Sequence, residues 1–510
     1  MEHETFLILD YGSQYTQLIA RRLRELGVFT RIERGDLPGE AIREIVPAAV
    51  VLSGGPASIY EEDSLAPDPA VLELGVPVLG ICYGMQTMAA MLGGAVRRSD
   101  RREYGLAELE VVGNHPLFEG TPERQPVWMS HGDSVSELPP GFVVIARTDN
   151  TPVAAMADRN RRFVGLQFHP EVRHTPHGME MLDAFVALSG ARRDWNPGAI
   201  RELLVGRLRE QVPEGRVICG VSGGVDSTVT AVLLREAIGD RLVPIFVDTG
   251  LLREGEGDGV AARFARHGMA LDRVDAGDRF LSALEGVTDP EEKRRIIGRL
   301  FVEVFEEEAR RFPDARYLAQ GTLYPDVIES SGVRGTAAVI KTHHNVGGLP
   351  ERLGLELVEP LRDLFKDEVR RLGEELGLPH EFVWRHPFPG PGLAVRILGP
   401  ITPERVRTLQ RADRIVIEEI RAAGLYDEIA QALAVLLPVR SVGVMGDQRT
   451  YDEVLAVRAV TTEDFMTADW YRFPPDVLDR IARRVVNEVE GINRVVYDVT
   501  SKPPGTIEWE

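Results

Sequence analysis

Val76-Pro-Val-Leu-Gly80-Ile-Cys82-Tyr-Gly84-Met-Gln86 passes from an apolar run through two closely spaced glycines into a helix-forming stretch. That is a strand, a tight turn and a helix, the unit from which open α/β sheets are wound. The same rhythm precedes it in Phe6-Leu-Ile-Leu9, a helical pattern from Gln14 to Leu26, and Ala49-Val-Val-Leu52. Residues 1–193 are therefore expected to form a mostly parallel α/β domain. At Ala191-Arg-Arg-Asp-Trp-Asn-Pro197 the pattern breaks, and after a helix a fresh strand starts at Arg216-Val-Ile-Cys-Gly220. A strand at 217–221, a helix at 227–237 and strands at Leu242–Val247 and Tyr317–Ala319 then predict a second doubly wound domain over 194–385. The joint His386-Pro-Phe-Pro-Gly-Pro-Gly-Leu393 opens a third region, 386–510. It mixes amphipathic helices (402–423, 475–490) with strands at Arg440–Met445 and Asn493–Val499. The expected fold class is α/β: two doubly wound parallel-sheet domains in tandem plus a smaller α+β C-terminal domain.

A chain of 510 residues holds about three domains' worth of sequence. Its 79 acidic and 59 basic residues leave a net charge of −20 with no long block of one sign, which argues against a nucleic-acid or anionic-membrane surface. Two cysteines, Cys82 and Cys219, exclude a disulfide framework or a four-cysteine zinc site and suit a reducing, cytoplasmic protein. The N-terminal Met1-Glu-His-Glu-Thr5 is acidic where a signal peptide is basic, so no targeting segment is evident. The uncharged stretch Leu74–Val96 is long enough to span a membrane, but its glycines, Pro77 and Gln86 make it a buried strand, turn and helix.

Gly80-Ile-Cys82-Tyr-Gly84 is the thiol form of a nucleophile elbow: the glycines allow the sharp turn, and a helix start beside the sulfur favours thiolate. Such a thiolate needs a proton shuttle, and Phe163-Val-Gly-Leu-Gln-Phe-His169-Pro-Glu171 offers one at the end of another strand. In extended backbone, residues two apart face one side, so Glu171 can orient and charge-stabilise His169. Ser53-Gly54-Gly55-Pro56 supplies small residues whose N–H groups could hold an oxyanion. His174 and His177 have the spacing of a metal pair, but no third ligand accompanies them.

The second motif is Val217-Ile-Cys-Gly-Val-Ser222-Gly223-Gly224-Val225-Asp226-Ser227-Thr228, a strand, a Gly-Gly turn and a helix N-terminus that together make an anion nest. It lacks the lysine of a Walker A loop. Phe246-Val-Asp248-Thr-Gly250 ends the next strand, at the sheet edge where nucleotides sit in open α/β folds. Only four of the basic residues are lysines, at 293, 341, 366 and 502. Lys341, in a polar loop-like segment, and Lys502, near the C-terminus, are candidate phosphate contacts; Lys293 and Lys366 lie on helical patterns, where chance retention is an equal explanation.

These motifs carry resemblances. The Cys82 elbow, the Ser-Gly-Gly-Pro loop and Gln-Phe-His169-Pro-Glu171 resemble the triad-type class I glutamine amidotransferases. The resemblance implies Cys82, His169 and Glu171 as catalytic residues, Gly54, Gly55 and Tyr83 as the oxyanion hole, and Gln86, His131 and Asp133 as glutamine contacts. Ser-Gly-Gly-Val-Asp-Ser is similar to the ATP pyrophosphatase signature. That likeness implies ATP binding by Ser222–Thr228, Asp248 and Lys341, with magnesium near Asp226. From Leu9-Asp-Tyr-Gly-Ser-Gln14 to the terminal Lys502-Pro-Pro-Gly-Thr-Ile-Glu508-Trp-Glu510, the chain resembles the glutamine-hydrolysing GMP synthases. Gln320-Gly-Thr-Leu-Tyr-Pro-Asp326-Val-Ile-Glu329 and His386-Pro-Phe-Pro-Gly-Pro-Gly belong to that likeness. It implies adenylation of xanthosine monophosphate (XMP) by Mg-ATP and its amination to GMP, a homodimer through the C-terminal domain, and XMP contacts at Arg440, Gln448, Lys502 and Glu508. Asp248, Asp326 and Glu329 stay unranked as metal or proton-handling groups. A glutamine-dependent NAD synthetase is expected to carry a nitrilase-like glutaminase, a CTP synthase a P-loop-like kinase half, and a silent sensor a replaced Cys82.

Overall fold

The structure, a computed structural model, describes every residue except 1–2, 57, 62–63, 331–351, 446–447, 463–464 and 466, and leaves out the side chains of 99–101, 329–330 and 445. Contacts divide the chain into two compact units, one built around Met1–Ile200 and the other around Arg201–Tyr324 and Val339–Glu510.

Nine strands form one sheet in the first unit: β1 (Thr5–Asp10), β2 (Phe29–Arg34), β3 (Ala49–Leu52), β4 (Val78–Ile81), β5 (Ala95–Val111), β6 (Arg124–Glu137), β7 (Val143–Arg147), β8 (Ala155–Asp158) and β9 (Phe163–Leu166). Their order is β2-β1-β3-β4-β9-β8-β7-β5-β6. Pairing is parallel from β2 to β9 and antiparallel from β9 to β6. The expectation of a mostly parallel sheet thus holds for the half that carries the motifs. β3, β4 and β9 are buried throughout, as strands covered on both faces must be, and read as unbroken apolar runs.

In the second unit β10 (Arg216–Val221), β11 (Leu242–Asp248), β12 (Asp272–Asp275), β13 (Ala315–Ala319) and β14 (Glu356–Val358) make an all-parallel sheet in the order β12-β11-β10-β13-β14. The order reverses at β10, which makes its carboxyl end the topological switch point where open α/β sheets bind ligands. The last region is α+β: β15 (Gln431–Met445) and β16 (Gln448–Thr461) form a long antiparallel hairpin, β17 (Asp469–Trp470) pairs antiparallel with β16, and β18 (Ile492–Tyr497) pairs parallel with it. Helices Pro403–Ala422 and Pro475–Glu488 bury apolar stripes including Leu409, Ile415, Val416, Ile481 and Val485. One hydrophobic core joins these stripes to Val247, Phe280, Leu300, Leu436 and Leu455, so residues on both sides of position 385 pack together.

Candidate active sites

Cys82 sits between β4 and the helix Tyr83–Met91 with φ +53° and ψ −107°, a conformation that costs a residue bearing Cβ about 1–3 kcal/mol. Its surroundings enforce it. The Cys82 N–H donates to the Leu166 carbonyl at 2.7 Å, its carbonyl accepts from the Gln86 N–H at 3.1 Å, and the Gly84 N–H donates to the Ser53 carbonyl at 3.0 Å. A Cβ at Gly84 would lie 2.2 Å from the Leu52 carbonyl oxygen, and one at Gly80 would lie 2.7 Å from the Met85 nitrogen. Both glycines are therefore conditions of the elbow. Cys82 Sγ lies 3.6 Å from the Ser130 carbonyl and 3.7 Å from Gln167 Nε2.

His169 follows β9 and is buried; its Nδ1 meets Glu171 Oε1 at 2.7 Å. The ring is fixed from other directions as well. Its backbone N–H donates to the Trp128 carbonyl at 3.0 Å, its carbonyl accepts from the Thr175 hydroxyl at 2.7 Å, and Tyr15 packs edge-on with centroids 5.1 Å apart. Burial works against the imidazolium, but the Glu171 charge and hydrogen bonds to Cys82 and Glu171 outweigh it and hold the His169 pKa well above the ordinary histidine value. Thiol, imidazole and carboxylate thus meet in one buried cluster, and an imidazolium beside a sulfur is the arrangement that favours thiolate.

Gly54 lies against the imidazole, since a Cβ there would stand 3.2 Å from His169 Cε1; a Cβ at Gly55 would stand 3.0 Å from the Tyr11 carbonyl oxygen. The Tyr83 hydroxyl donates to the Leu65 carbonyl at 2.7 Å and its ring packs on Tyr11. Gln86 Nε2 donates to the Asp133 carbonyl at 2.7 Å, His131 Nδ1 contacts the same oxygen at 3.0 Å, and the Asp133 carboxylate accepts from the Ser58 hydroxyl at 2.5 Å. The structure therefore brings Gln86, His131 and Asp133 together. Ser58 and Glu103 had no signal of their own in the sequence, and Gln167 lay in the Gln-Phe-His169-Pro-Glu171 motif with no role assigned to it. Glu103 Oε2 lies 3.6 Å from His131 Nε2 and accepts from the Thr151 hydroxyl at 2.7 Å. Burial raises its carboxyl pKa, but hydrogen bonds from His131, Thr151 and Thr148 outweigh burial and leave it below the usual value. His174 packs on Trp128 and His177 pairs with Glu180; no group of metal-ligating side chains occurs among the described residues.

At the second site β10 ends in Ser222-Gly223-Gly224 and the helix Val225–Ile238 begins. Gly223 has φ +78°, and a Cβ on it would lie 2.8 Å from Val260 Cγ2. The turn is laced by its own hydroxyls: Ser222 Oγ accepts from the Gly224 N–H at 3.2 Å and meets Ser227 Oγ at 3.1 Å, while Thr228 donates to the Gly224 carbonyl at 2.8 Å. Arg385 donates to the Gly223 carbonyl at 3.1 Å and pairs with Glu256 at 2.5 Å. Asp226 Oδ2 pairs with Lys366, and its Oδ1 is buried without a hydrogen-bond partner. Lys366, uninformative on its helical pattern, thus belongs to this site. Asp248 closes β11, where its carboxylate accepts from Arg273 at 2.8 Å and from the Gly250 N–H at 3.1 Å. Asp326 lies on the helix Tyr324–Ser330; Lys341 and the Glu329 side chain fall outside the described residues.

The four XMP expectations separate. Arg440 and Gln448 are exposed on the outer half of the β15–β16 hairpin. Glu508 is held by Arg396 through two bonds of 3.0 and 2.8 Å and by Gln431 Nε2 at 2.7 Å. Lys502 Nζ donates to the Phe465 carbonyl at 2.6 Å. Lys293 is fully buried, and its ammonium bonds Glu510 at 2.5 Å, the Ile397 carbonyl at 2.7 Å and the Ala394 carbonyl at 3.3 Å. It fastens the C-terminal segment to the helix Pro290–Ala309.

A family model described as glutamine amidotransferase class-I matches residues 7–188, and one described as GMP synthase C terminal domain matches residues 418–509. Along its whole length the chain is similar to curated proteins named GMP synthase (glutamine-hydrolyzing). It is 60% identical over 515 residues to that of Phenylobacterium zucineum (strain HLK1), covering 100% of this chain and 99% of the relative. Identity is 57% over 518 residues with the protein of Methylococcus capsulatus (strain ATCC 33009 / NCIMB 11132 / Bath), covering 99% of each. With the protein of Aquifex aeolicus (strain VF5) it is 54% over 511 residues, covering 100% of each. Identity of this order over nearly the whole length of this chain and of its relatives, together with both family domains, means that the chain belongs to the glutamine-hydrolysing GMP synthase family.

Proposed function

We propose that the chain makes GMP from XMP, glutamine and ATP at two chemically distinct sites. At the first, the thiolate of Cys82 attacks the side-chain carbonyl carbon of glutamine, and the His169 imidazolium, charge-stabilised by Glu171, gives its proton to the departing nitrogen. Ammonia leaves, and water then cleaves the glutamyl thioester to glutamate. Backbone N–H groups of the Gly54-Gly55 loop and of Tyr83 hold the oxyanion, while Gln86, His131 and Asp133 hold the substrate amino acid. At the second site the C2 oxygen of XMP attacks the α-phosphorus of ATP and pyrophosphate departs. Ammonia then adds at C2, and AMP leaves with the oxygen. Ser222, Gly223, Gly224, Val225, Ser227 and Thr228 cradle the phosphates; Asp248 and Lys341 complete the ATP contacts.

Asp226 offers a buried oxygen with no partner at the mouth of an anion nest, one donor of the kind that would hold a magnesium ion carried in on ATP. Magnesium bound there with ATP supplies charge neutralisation of the phosphates. The functional divisions proposed are 1–193 for glutamine hydrolysis, 194–385 for adenylation and 386–510 for XMP binding and dimerisation. A homodimer through 386–510 is supported by the exposed Val439, Val442, Val444 and Tyr451 on the hairpin. Arg440 and the Glu508 partner Gln431 stand nine residues apart on one strand, about 30 Å. A pocket using both Arg440 and Glu508 therefore draws them from two subunits. A cytoplasmic location belongs to the same proposal; among the described residues no helix is long and apolar enough to cross a membrane.

The observation that carries the reading is the buried Cys82–His169–Glu171 cluster, in a chain whose full-length relatives bear the name GMP synthase. The test is product analysis with Mg-ATP, XMP and glutamine: AMP, pyrophosphate, glutamate and GMP should form in equal amounts. Glutamate formation with XMP unchanged would overturn the choice of acceptor.

A further inference from the structure

Cys82 Sγ has two polar neighbours besides His169, and they act in opposite senses. The Ser130 carbonyl, at 3.6 Å, can only accept and so favours the protonated thiol. A carboxamide N–H donates and so favours the thiolate, and Gln167 Nε2 lies 3.7 Å from the sulfur.

Which end Gln167 presents is not a free choice. The Asp133 main-chain oxygen can only accept, so Gln86, 2.7 Å away, must turn its NH2 toward it. The same NH2 stands 3.3 Å from Gln167 Oε1. With its oxygen committed to Gln86, Gln167 has its own NH2 left for the sulfur. Rotating Gln86 by half a turn would set its oxygen against the Asp133 oxygen, two acceptors face to face, and rotating Gln167 would set its NH2 against that of Gln86, two donors face to face. The far end of the chain is held too: His131 Nδ1 bonds the Asp133 oxygen at 3.0 Å, and Glu103 stands behind His131 with Thr148 and Thr151 on its carboxylate. Gln167 is fully buried and Gln86 nearly so, and a fixed donor in such a setting is worth more than one in water.

We propose that Gln167 is a further catalytic residue of the glutaminase, which stabilises the Cys82 thiolate by donating from Nε2 to Sγ in an orientation set by the Asp133 carbonyl through Gln86. In the step concerned, the proton passes from Sγ to His169, and Gln167 stabilises the sulfur electron pair until it forms the bond to the glutamine side-chain carbon. The inference rests on the assignment of Cys82 as nucleophile. The other groups facing the sulfur are His169, backed by Glu171, and the N-terminus of the helix Tyr83–Met91.

The chain provides its own assay. Cys219 is fully buried in β10, where desolvation pushes its thiol up to about 12, so alkylation of the folded full-length protein by iodoacetamide reports Cys82 alone. Gln167→Leu removes the donor, and Gln167→Glu keeps the shape but sets a carboxylate against the sulfur. Each should move the midpoint of the alkylation rate against pH upward by about one unit or more, which slows labelling roughly tenfold at pH values below the parent's midpoint. An unchanged midpoint in either variant, with its melting temperature as in the parent, would overturn the proposal. Persistence of glutamine hydrolysis in Cys82→Ala would instead remove the nucleophile assignment, and the alkylation shift would still decide whether Gln167 acts on the sulfur.

Discussion

His169 is buried, and burial alone would leave it neutral; Glu171, at 2.7 Å, reverses that outcome. Replacing Glu171 with Gln keeps the hydrogen-bonding shape but removes the charge, so desolvation dominates and the imidazole loses its proton near neutrality. Glutamine hydrolysis is then expected to fall by about 10²- to 10⁴-fold, the usual worth of a positioned proton donor. Stability carries the same signature. Because the folded pKa of His169 lies above its unfolded value, the pair stabilises the fold fully below about pH 6.5 and progressively less as pH rises through the folded pKa. The stability gap between the parent and Glu171→Gln should therefore be widest in mild acid and narrow toward alkaline pH in urea titrations; a gap that grows with pH contradicts this assignment of charge. Cys82, His169 and Glu171 were legible because each lies in a short motif whose local geometry follows from strand and turn rules. Gln167 lay inside the same motif with no role to read, and Lys366 on a helical pattern: their partners Cys82 and Asp226 stand 85 and 140 residues away, and no local pattern encodes such meetings.

The strand–turn–helix elements at Cys82 and Ser222 were readable because their strands are covered on both faces and their turns need glycine, both of which leave a mark on the sequence. The long pairs were harder. β5 runs 17 residues through Arg97-Arg-Ser-Asp-Arg-Arg102, a charged stretch with no apolar alternation to announce a strand. Arg440–Met445 is only the outer part of β15; the inner part carries Ala432–Leu437, an unbroken apolar run whose periodicity does not separate strand from helix. The C-terminal segment is fixed by three fully buried cations: Arg458 bonds the Thr500, Thr506 and Ile507 carbonyls, Arg396 grips Glu508, and Lys293 grips Glu510. A buried charge stripped of its partner is strongly unfavourable, so Lys293→Met should lower unfolding stability by about 3–5 kcal/mol. Adding Glu510→Gln should recover most of that loss. A double variant no more stable in urea than the single one would show that Lys293 packs rather than pairs.

On the scale of the whole molecule, three rhythms of sequence led to an expectation of three regions, whereas contacts divide the chain into two units; the core that joins residues on both sides of position 385 was not visible because it forms between segments far apart in the chain. The hairpin marks the proposed dimer surface: Val442 stands opposite Tyr451 in register, Val444 lies two residues along on the same face, and all three are exposed. Val442→Asp together with Val444→Asp should convert the dimer to monomers in light scattering and lower GMP synthesis; an unchanged molar mass would place the interface elsewhere. The central claim, two separable sites on one chain, is tested most directly with Cys82→Ala supplied in turn with glutamine and with a high concentration of ammonium salt. The account predicts no GMP from glutamine and GMP at the parent's rate from ammonium. Loss of both activities, or GMP still formed from glutamine, would contradict it.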